Sequence, residues 1–218
     1  MKSTLCIIPA FHHQKELDLV CEQLSDYDVL IIDDGSTPPL SSKRKIIRHH
    51  KNLGYGASQK TGFSFALSHK YKQIALIHGD NQYSVPHILE AAQNTANASI
   101  LLGSRFASSV PDMPFWRKWG NRFLTSTVNH KFGVQYSDLH TGGRVYTTDF
   151  LRKIPYHSFS NGFVFDHQLL IWAIRNQISI HEFSIPAKYD ESVSSISFSK
   201  SIPYGIGCMI GIIAPSNL

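Results

Sequence analysis

Cysteine is scarce in this chain: Cys6, Cys21 and Cys208 are the only three in 218 residues, far apart and without paired spacing. That excludes a disulfide framework and a zinc-finger arrangement. It fits a reducing, cytosolic setting. Charged residues make up only 17% against 42% hydrophobic ones, so a sizeable core is expected and disorder is excluded. No apolar run approaches the ~20 residues that span a bilayer. The tail "IGCMIGIIAP" from Ile206 comes nearest and is too short. The opening "MKSTLCIIPAF" reads as a first strand and not as a signal peptide, because Pro9 and His12–His13 interrupt its apolar stretch. Several signatures are also missing. There is no G-x-S-x-G for a serine hydrolase and no G-K-[ST] ending for a P-loop. No G-x-G-x-x-G follows the first strand. The twelve histidines include no H-x-x-x-H or H-E-x-x-H, which speaks against zinc catalysis.

What is present is a basic chain with a net charge of +5, which favours anionic partners such as nucleotides, phosphates or a membrane surface. Lysines and arginines are spread along the chain, so no nucleic-acid partner is expected. The length suits one domain. Strand-like runs ("TLCIIP", "DVLIID", "KIIRHH", "QIALIH", "SILLG") alternate with helical patterns. Leu17, Val20, Cys21 and Leu24 repeat at helical spacing, and "ASQKTGFSFALSHKYK" and "HILEAAQNTAN" read as further helices. The alternation predicts an α/β fold with a mainly parallel central sheet. A looser second half holds a helix near Phe165 to Arg175 and a strand "ISIHEFSI".

In open α/β sheets ligands bind outside the carboxyl ends of the strands. Polar residues collect at those ends. "IIDDGS" puts Asp33 and Asp34 before a turn, where a carboxylate can accept bonds from ribose hydroxyls or a base N–H; a plain Asp-Gly turn reads equally well. "NLGYGASQKTG" is a Gly-bearing loop entering a helix, with Gly54 and Gly56 allowing close approach and Lys60 adding charge; a helix N-terminus favours phosphate. "HGDNQY" offers Asp80 as a charged oxygen ligand and Gln82 as a neutral one. Such a pair suits Mg²⁺ or Mn²⁺, which take few carboxylates and complete their shells with water and substrate phosphate. Gly79 is expected to leave room for a diphosphate.

Each motif is weak alone, but their order is specific. "IIPAF", "DDGS", "NLGYGA", a D-x-D-like strand end, "GSRF", "DLHTGGR" and "FVFDHQLL" together resemble the family 2 glycosyltransferases, and among them the branch of dolichyl-phosphate mannose and glucose synthases. The resemblance spans roughly Thr4 to Tyr204. It implies a single GT-A domain over residues 1–218, with a nucleotide-sugar half of about 1–105 and an acceptor half of about 106–218. It also implies a nucleoside-diphosphate sugar donor, a divalent metal and an inverting transfer to a lipid-phosphate or glycan acceptor. By position, Pro9 and Ala10 would flank the base, and Asp33 and Asp34 would read base and ribose. Asp80, with Gln82, would hold the metal. Arg105 and Arg117 would meet phosphate, Asp138, Gly142 and Arg144 match a substrate element, Asp166 lies where an acid serves the acceptor, and Lys200 would fold over the diphosphate.

The first acid of D-x-D is His78 here, read as a donor-side contact and not a metal ligand. The substitution keeps a non-catalytic nucleotide-sugar-binding protein in view as a rival. Many members of the resembled family continue into membrane helices or a further domain, whereas this sequence ends at Leu218. Finally, "MPFWRKWGNRFLTSTV" reads as a helix with Trp116, Trp119, Phe123, Leu124 and Val128 on one side and Arg117, Lys118, Asn121 and Arg122 on the other. That pattern predicts peripheral membrane contact at an inner membrane face.

Overall fold

The computed structural model describes residues 2–94, 98–106, 113–189 and 198–213. Its frame is one seven-stranded sheet. The strands are β1 (Lys2–Ala10), β2 (Asp28–Asp33), β3 (Lys45–Arg48), β4 (Tyr71–Leu76), β5 (Ile100–Ser104), β6 (Arg144–Thr147) and β7 (Ile180–Ser184). The order is β3-β2-β1-β4-β6-β5-β7. Every neighbouring pair is parallel except those of β6, which runs antiparallel to both β4 and β5. The expected α/β fold with a mainly parallel sheet is therefore what forms.

The helices are α1 (Gln14–Glu22), α2 (Tyr55–Ser68), α3 (Val85–Gln93), α4 (Phe115–Phe132), α5 (Thr148–Lys153), α6 (Val164–Arg175) and α7 (Phe198–Ile213). They cover both faces of the sheet, which explains why the central strands are apolar throughout and do not alternate. Leu5, Ile7, Leu30, Ile32, Ile74 and Leu76 point into one core with Phe63 of α2 and Leu169 of α6. Their neighbours Cys6, Ile8, Val29, Ile31, Ala75 and Ile77 point into the other, with Leu17 of α1 and Ile88 of α3. A period of two thus distributes a continuous apolar run between two cores.

The antiparallel β6 brings a distant loop to the sheet's carboxyl edge. Its first residue, Arg144, pairs with Leu76 at the end of β4. The chain entering β6, Thr141 to Gly143, consequently runs beside the residues leaving β4. Among the described residues no helix is long and apolar enough to cross a membrane.

Candidate active site

The carboxyl ends of β1, β2, β4 and β5 open into a cleft of about 700 Å³. Pro9, Ala10, Asp34, Gly54, His78, Asp80, Gln82, Arg105, Arg117, Arg144 and Asp166 all line it. The loop before β6 adds His140, Thr141 and Gly142, and α4 and α7 close the far wall with Trp116, Ile202 and Tyr204.

The turn after β4 is built around its carboxylate. Asp80 Oδ1 accepts the Gln82 N–H at 3.1 Å, an Asx turn. Asn81 takes the left-handed backbone conformation at φ 54°, which asparagine tolerates well. Backbone bonds from Lys188 to Gln82 (2.9 Å) and from Ser84 to Pro186 (3.3 Å) fix the loop from outside. Both Asp80 and Gln82 are largely buried yet face the cleft. One charged and one amide oxygen beside space for an anionic ligand is a donor set that fits a hard divalent cation. Gly79 differs from expectation. A Cβ there would meet Ala10 Cβ and the Pro9 carbonyl, both at 3.1 Å, so its small size serves packing against the end of β1.

His78 sits between Tyr55 and Gly142. Its Nε2 lies 3.0 Å from the Tyr55 hydroxyl. A Cβ on Gly142 would fall 2.0 Å from that same nitrogen, so the glycine makes room for the ring. Burial, with help from Arg144, pushes the His78 pKa down against the opposing pull of Asp80 and Asp166. The first D-x-D position therefore carries a neutral ring at neutral pH.

Asp34 accepts from His49 Nδ1 (2.7 Å), Leu53 N (2.9 Å) and Gly54 N (2.8 Å). A carboxylate has about four acceptor sites, so one remains toward the cleft. Asp33 departs from the expected role. It is wholly buried, and its oxygens take Ser36 N, Leu40 N and Arg48 Nε. Burial pushes its carboxyl up, but these hydrogen bonds outweigh that and hold it below the usual carboxylate range. Asp33 holds the turn after β2 and does not line the cleft.

The entry to α2 also departs from expectation. Gly54 adopts φ 106°, and a Cβ there would lie 2.4 Å from the Asn161 carbonyl. The Gly54 N–H goes to Asp34 and the Ala57 N–H to Asn161 O, so protein acceptors take these donors before any phosphate can. Lys60 points away, to the carbonyls of His157 and Phe159 and to Asn161 Oδ1. It ties down the loop before α6 and is no cleft residue.

Arg105 and Arg144 line the cleft as matched pairs and not as lone cations. Arg105 forks onto Asp138 through Nε (2.7 Å) and Nη2 (2.9 Å), and reaches Tyr189 Oη at 2.9 Å. Asp138 is fully buried behind it, a support for Arg105 and not a wall of the cleft. Arg144 lies 3.5 Å from Asp166 and donates Nε to the Thr141 carbonyl at 2.9 Å. Burial opposes both guanidinium charges, yet the Asp138 and Asp166 carboxylates keep them firmly protonated. Asp166 Oδ1 is held by Gln59 Nε2 at 2.7 Å. Arg117 lies over the Trp116 ring, 5.0 Å from its centroid. Lys200 falls in α7, but its side chain lies outside the described residues.

Sequence reasoning missed Tyr55, His140, Phe163 and Tyr204 in the wall. Tyr55 was legible as the residue between the two glycines of "NLGYG". His140 and Phe163 lie inside the motifs "DLHTGGR" and "FVFDHQLL" beside the acids that drew attention there, and Tyr204 lies in α7, where no local pattern singles it out.

The parallel strand ends, the acid-bearing turn after β4 and the Arg–Asp pairs make a polar cleft at the carboxyl edge of the sheet, and comparison with known proteins gives the family. The pattern of Glycosyl transferase family 2 matches residues 6–155, so the chain belongs to that family. Over 197 residues the chain is 24% identical to an uncharacterised protein of Methanocaldococcus jannaschii, covering 85% of this chain and 81% of that one. Over 213 residues it is 24% identical to the dolichyl-phosphate beta-glucosyltransferase of Saccharomyces cerevisiae, covering 82% of this chain and 64% of the yeast protein. Among solved structures, glucosyl-3-phosphoglycerate synthase from Mycobacterium tuberculosis in complex with UDP superposes with a TM-score of 0.72 at 12% identity, covering 97% of this chain and 79% of that one. The same enzyme with Mn²⁺, UDP and glucosyl-3-phosphoglycerate gives 0.71 at 12% identity, with the same coverage. At that identity the likeness establishes the fold, which is GT-A.

Proposed function

We propose that this glycosyltransferase moves a hexosyl unit, with inversion, from a nucleoside-diphosphate sugar to a polyprenyl phosphate presented at a membrane surface. Donor binding would use Pro9, Ala10 and Asp34 at the nucleoside end. Asp80 and Gln82 would hold Mg²⁺ or Mn²⁺, which offsets charge on the departing diphosphate. Arg117 would supply positive potential at the reacting centre, with Arg105 and Arg144 offering hydrogen-bond donors from guanidiniums whose charge Asp138 and Asp166 already match. A phosphate acceptor is already anionic at neutral pH and needs cations, not a base. Asp166, clamped by Gln59 and Arg144, would then position groups and accept no proton.

One observation carries the acceptor reading. The two helices that close the cleft expose apolar side chains beside it. Trp119 and Phe123 of α4 are 62% and 63% exposed, and Ile206 and Ile210 of α7 are 57% and 62% exposed. Lys118 and Arg122 share the α4 surface with the aromatics, lining one shallow groove with them. Cations next to exposed aromatics suit an anionic lipid surface, where the acceptor phosphate lies at headgroup depth.

The experiment is co-sedimentation with anionic phospholipid vesicles, followed by transfer to a polyprenyl phosphate in those vesicles. Wild type should sediment, and less so at high salt. Burying an aromatic is worth ~1.5–3 kcal/mol, so Trp119→Ser with Phe123→Ser should weaken binding at least ~10-fold. Equal sedimentation of both proteins, or transfer only to a soluble sugar hydroxyl, would overturn the lipid acceptor. In the latter case Asp166 would be the base.

A further inference from the structure

We propose that His140, His167 and Cys208 form a second metal site, for a borderline-soft divalent cation such as Zn²⁺, which fastens α7 to α6 and to the wall of the cleft. The three residues come from separate parts of the chain: the loop before β6, the first turn of α6 and the middle of α7. One ligand atom from each lies within 4.8 Å of the others. Zn–N bonds of ~2.0–2.1 Å and a Zn–S bond of ~2.3 Å imply ligand separations of ~3.3–3.6 Å in a tetrahedral site. The two imidazoles are stacked, 9° apart with centroids 5.5 Å apart, so binding an ion requires the rings to turn until their nitrogens converge.

Several polar atoms here lack a well-formed hydrogen bond, the Cys208 backbone being the partner that approaches the His167 ring. His167 is 1% exposed. Neither of its ring nitrogens meets hydrogen-bond geometry, and neither does Nε2 of His140. Buried polar groups are otherwise nearly always paired, and each one left unmade costs about 1–3 kcal/mol. His140 Nδ1 is engaged, 2.8 Å from the Tyr204 hydroxyl. The same hydroxyl is a hydrogen-bond partner of the Cys208 thiol, so Tyr204 joins two of the three residues and leaves His140 Nε2 unpaired.

Burial pushes the Cys208 thiol up to about 12 against the pull of its Tyr204 hydrogen bond, so the metal itself must displace that proton; the two imidazoles present no such barrier. Burial pushes the His167 pKa down to about 4, the Cys208 backbone pulling the other way and Arg144 adding to the depression. Burial likewise depresses His140, with His167, Arg105 and Arg144 contributing. Both rings are thus neutral, the form that binds metal. The two nearby guanidiniums are already matched by Asp138 and Asp166. A Cys208 thiolate would cancel one of the two metal charges, and its proton would leave to solvent as the metal binds. Thiolate and imidazole select zinc-like ions over Mg²⁺ or Mn²⁺. This site is therefore chemically distinct from the Asp80 turn and does not depend on the transferase reading. Three protein ligands leave a fourth position for water. Because Tyr204 and Ile202 of α7 form part of the cleft wall, an ion here would order that wall.

The test uses the whole chain, stripped by chelator and titrated with Zn²⁺. Metal content after desalting should be one zinc per chain, and Co²⁺ in its place should give a thiolate-to-cobalt charge-transfer band. Loss of a partner behind a ligand costs 10–100-fold in affinity, so loss of a ligand in Cys208→Ser or His167→Gln should cost at least ~10-fold. Asp80→Asn should retain the zinc. Zinc absent after desalting, a cobalt complex without the thiolate band, or undiminished zinc in Cys208→Ser would each overturn the proposal. The cobalt spectrum of the wild type decides the matter even if a variant fails to fold.

Discussion

The imidazole of His78 and the missing Cβ of Gly142 occupy one another's space. Where a carboxylate begins the D-x-D pattern, a ring stands here, and the structure accommodates it from two sides. Tyr55 meets the ring nitrogen, and Gly142 yields to it. Gly142→Ala should therefore act through His78. A Cβ 2.0 Å from a buried ring nitrogen forces the ring out of place. Overpacking of this sort costs ~1–3 kcal/mol. The check is a double-mutant cycle in chemical denaturation: adding His78→Ala should recover most of the loss, whereas simple additivity would show that the two positions do not touch. Sequence reading reached the acid-bearing turn after β4 because unlike residue types crowd one strand end there. It misplaced Lys60 and Asp33 because charge alone does not say whether a group faces a ligand or its own chain. Both are consumed by protein partners.

Among the elements, strand β2 was legible to the residue, since four apolar positions between two aspartates leave little choice. Three elements were not, the short α5 (Thr148–Lys153) among them. β6 has four residues and enters the sheet antiparallel between distant strands, so nothing local marks it. α7 carries Pro203 inside it along with several glycines, and packing against α4 and α6 overrides that poor helix propensity. α4 was found, but its faces were missorted. At 100° per residue, Phe115, Lys118, Trp119, Arg122 and Phe123 share one stripe, while Leu124, Thr125 and Val128 turn inward. The turn after β2 gives a prediction at this scale. Asp33 has a folded-state pKa below its unfolded value, so its contribution is complete above the ordinary value near ~3.9 and is lost as pH falls through the lower folded value. Asp33→Asn should cost ~1.5–3 kcal/mol at neutral pH, the range for a hydrogen bond to a charged group. It should also flatten the acid limb of stability against pH below ~4. Denaturant midpoints measured from neutral pH down to acid check both. An unchanged acid limb would mean that Asp33 holds nothing up.

At the scale of the molecule, the cleft is assembled from parts that fold far apart in sequence, and a ligand bound across it links them. Its walls come from β1, β2, β4 and β5 on one side and from α4, α6 and α7 on the other. A donor bound with its metal binds only the folded arrangement, so it must stabilise the whole domain by RT ln(1 + [L]/Kd). At ~100 times Kd that amounts to about 2.7 kcal/mol. For a chain of this size, ~2–4 °C per kcal/mol converts this to a Tm rise of ~5–11 °C. UDP- and GDP-sugars should each be tried with Mn²⁺ and with excess chelator. The nucleotide sugar that produces the shift identifies the donor, and the chelator should remove most of it. In Asp80→Asn the chelator-sensitive part should vanish while the unliganded Tm stays near that of the wild type, since the Asp80 side chain accepts from one backbone N–H that asparagine can also satisfy. A shift of equal size in Asp80→Asn, or one indifferent to chelator, would move the metal away from this turn. It would leave Asp80 as the residue that shapes the loop and no more.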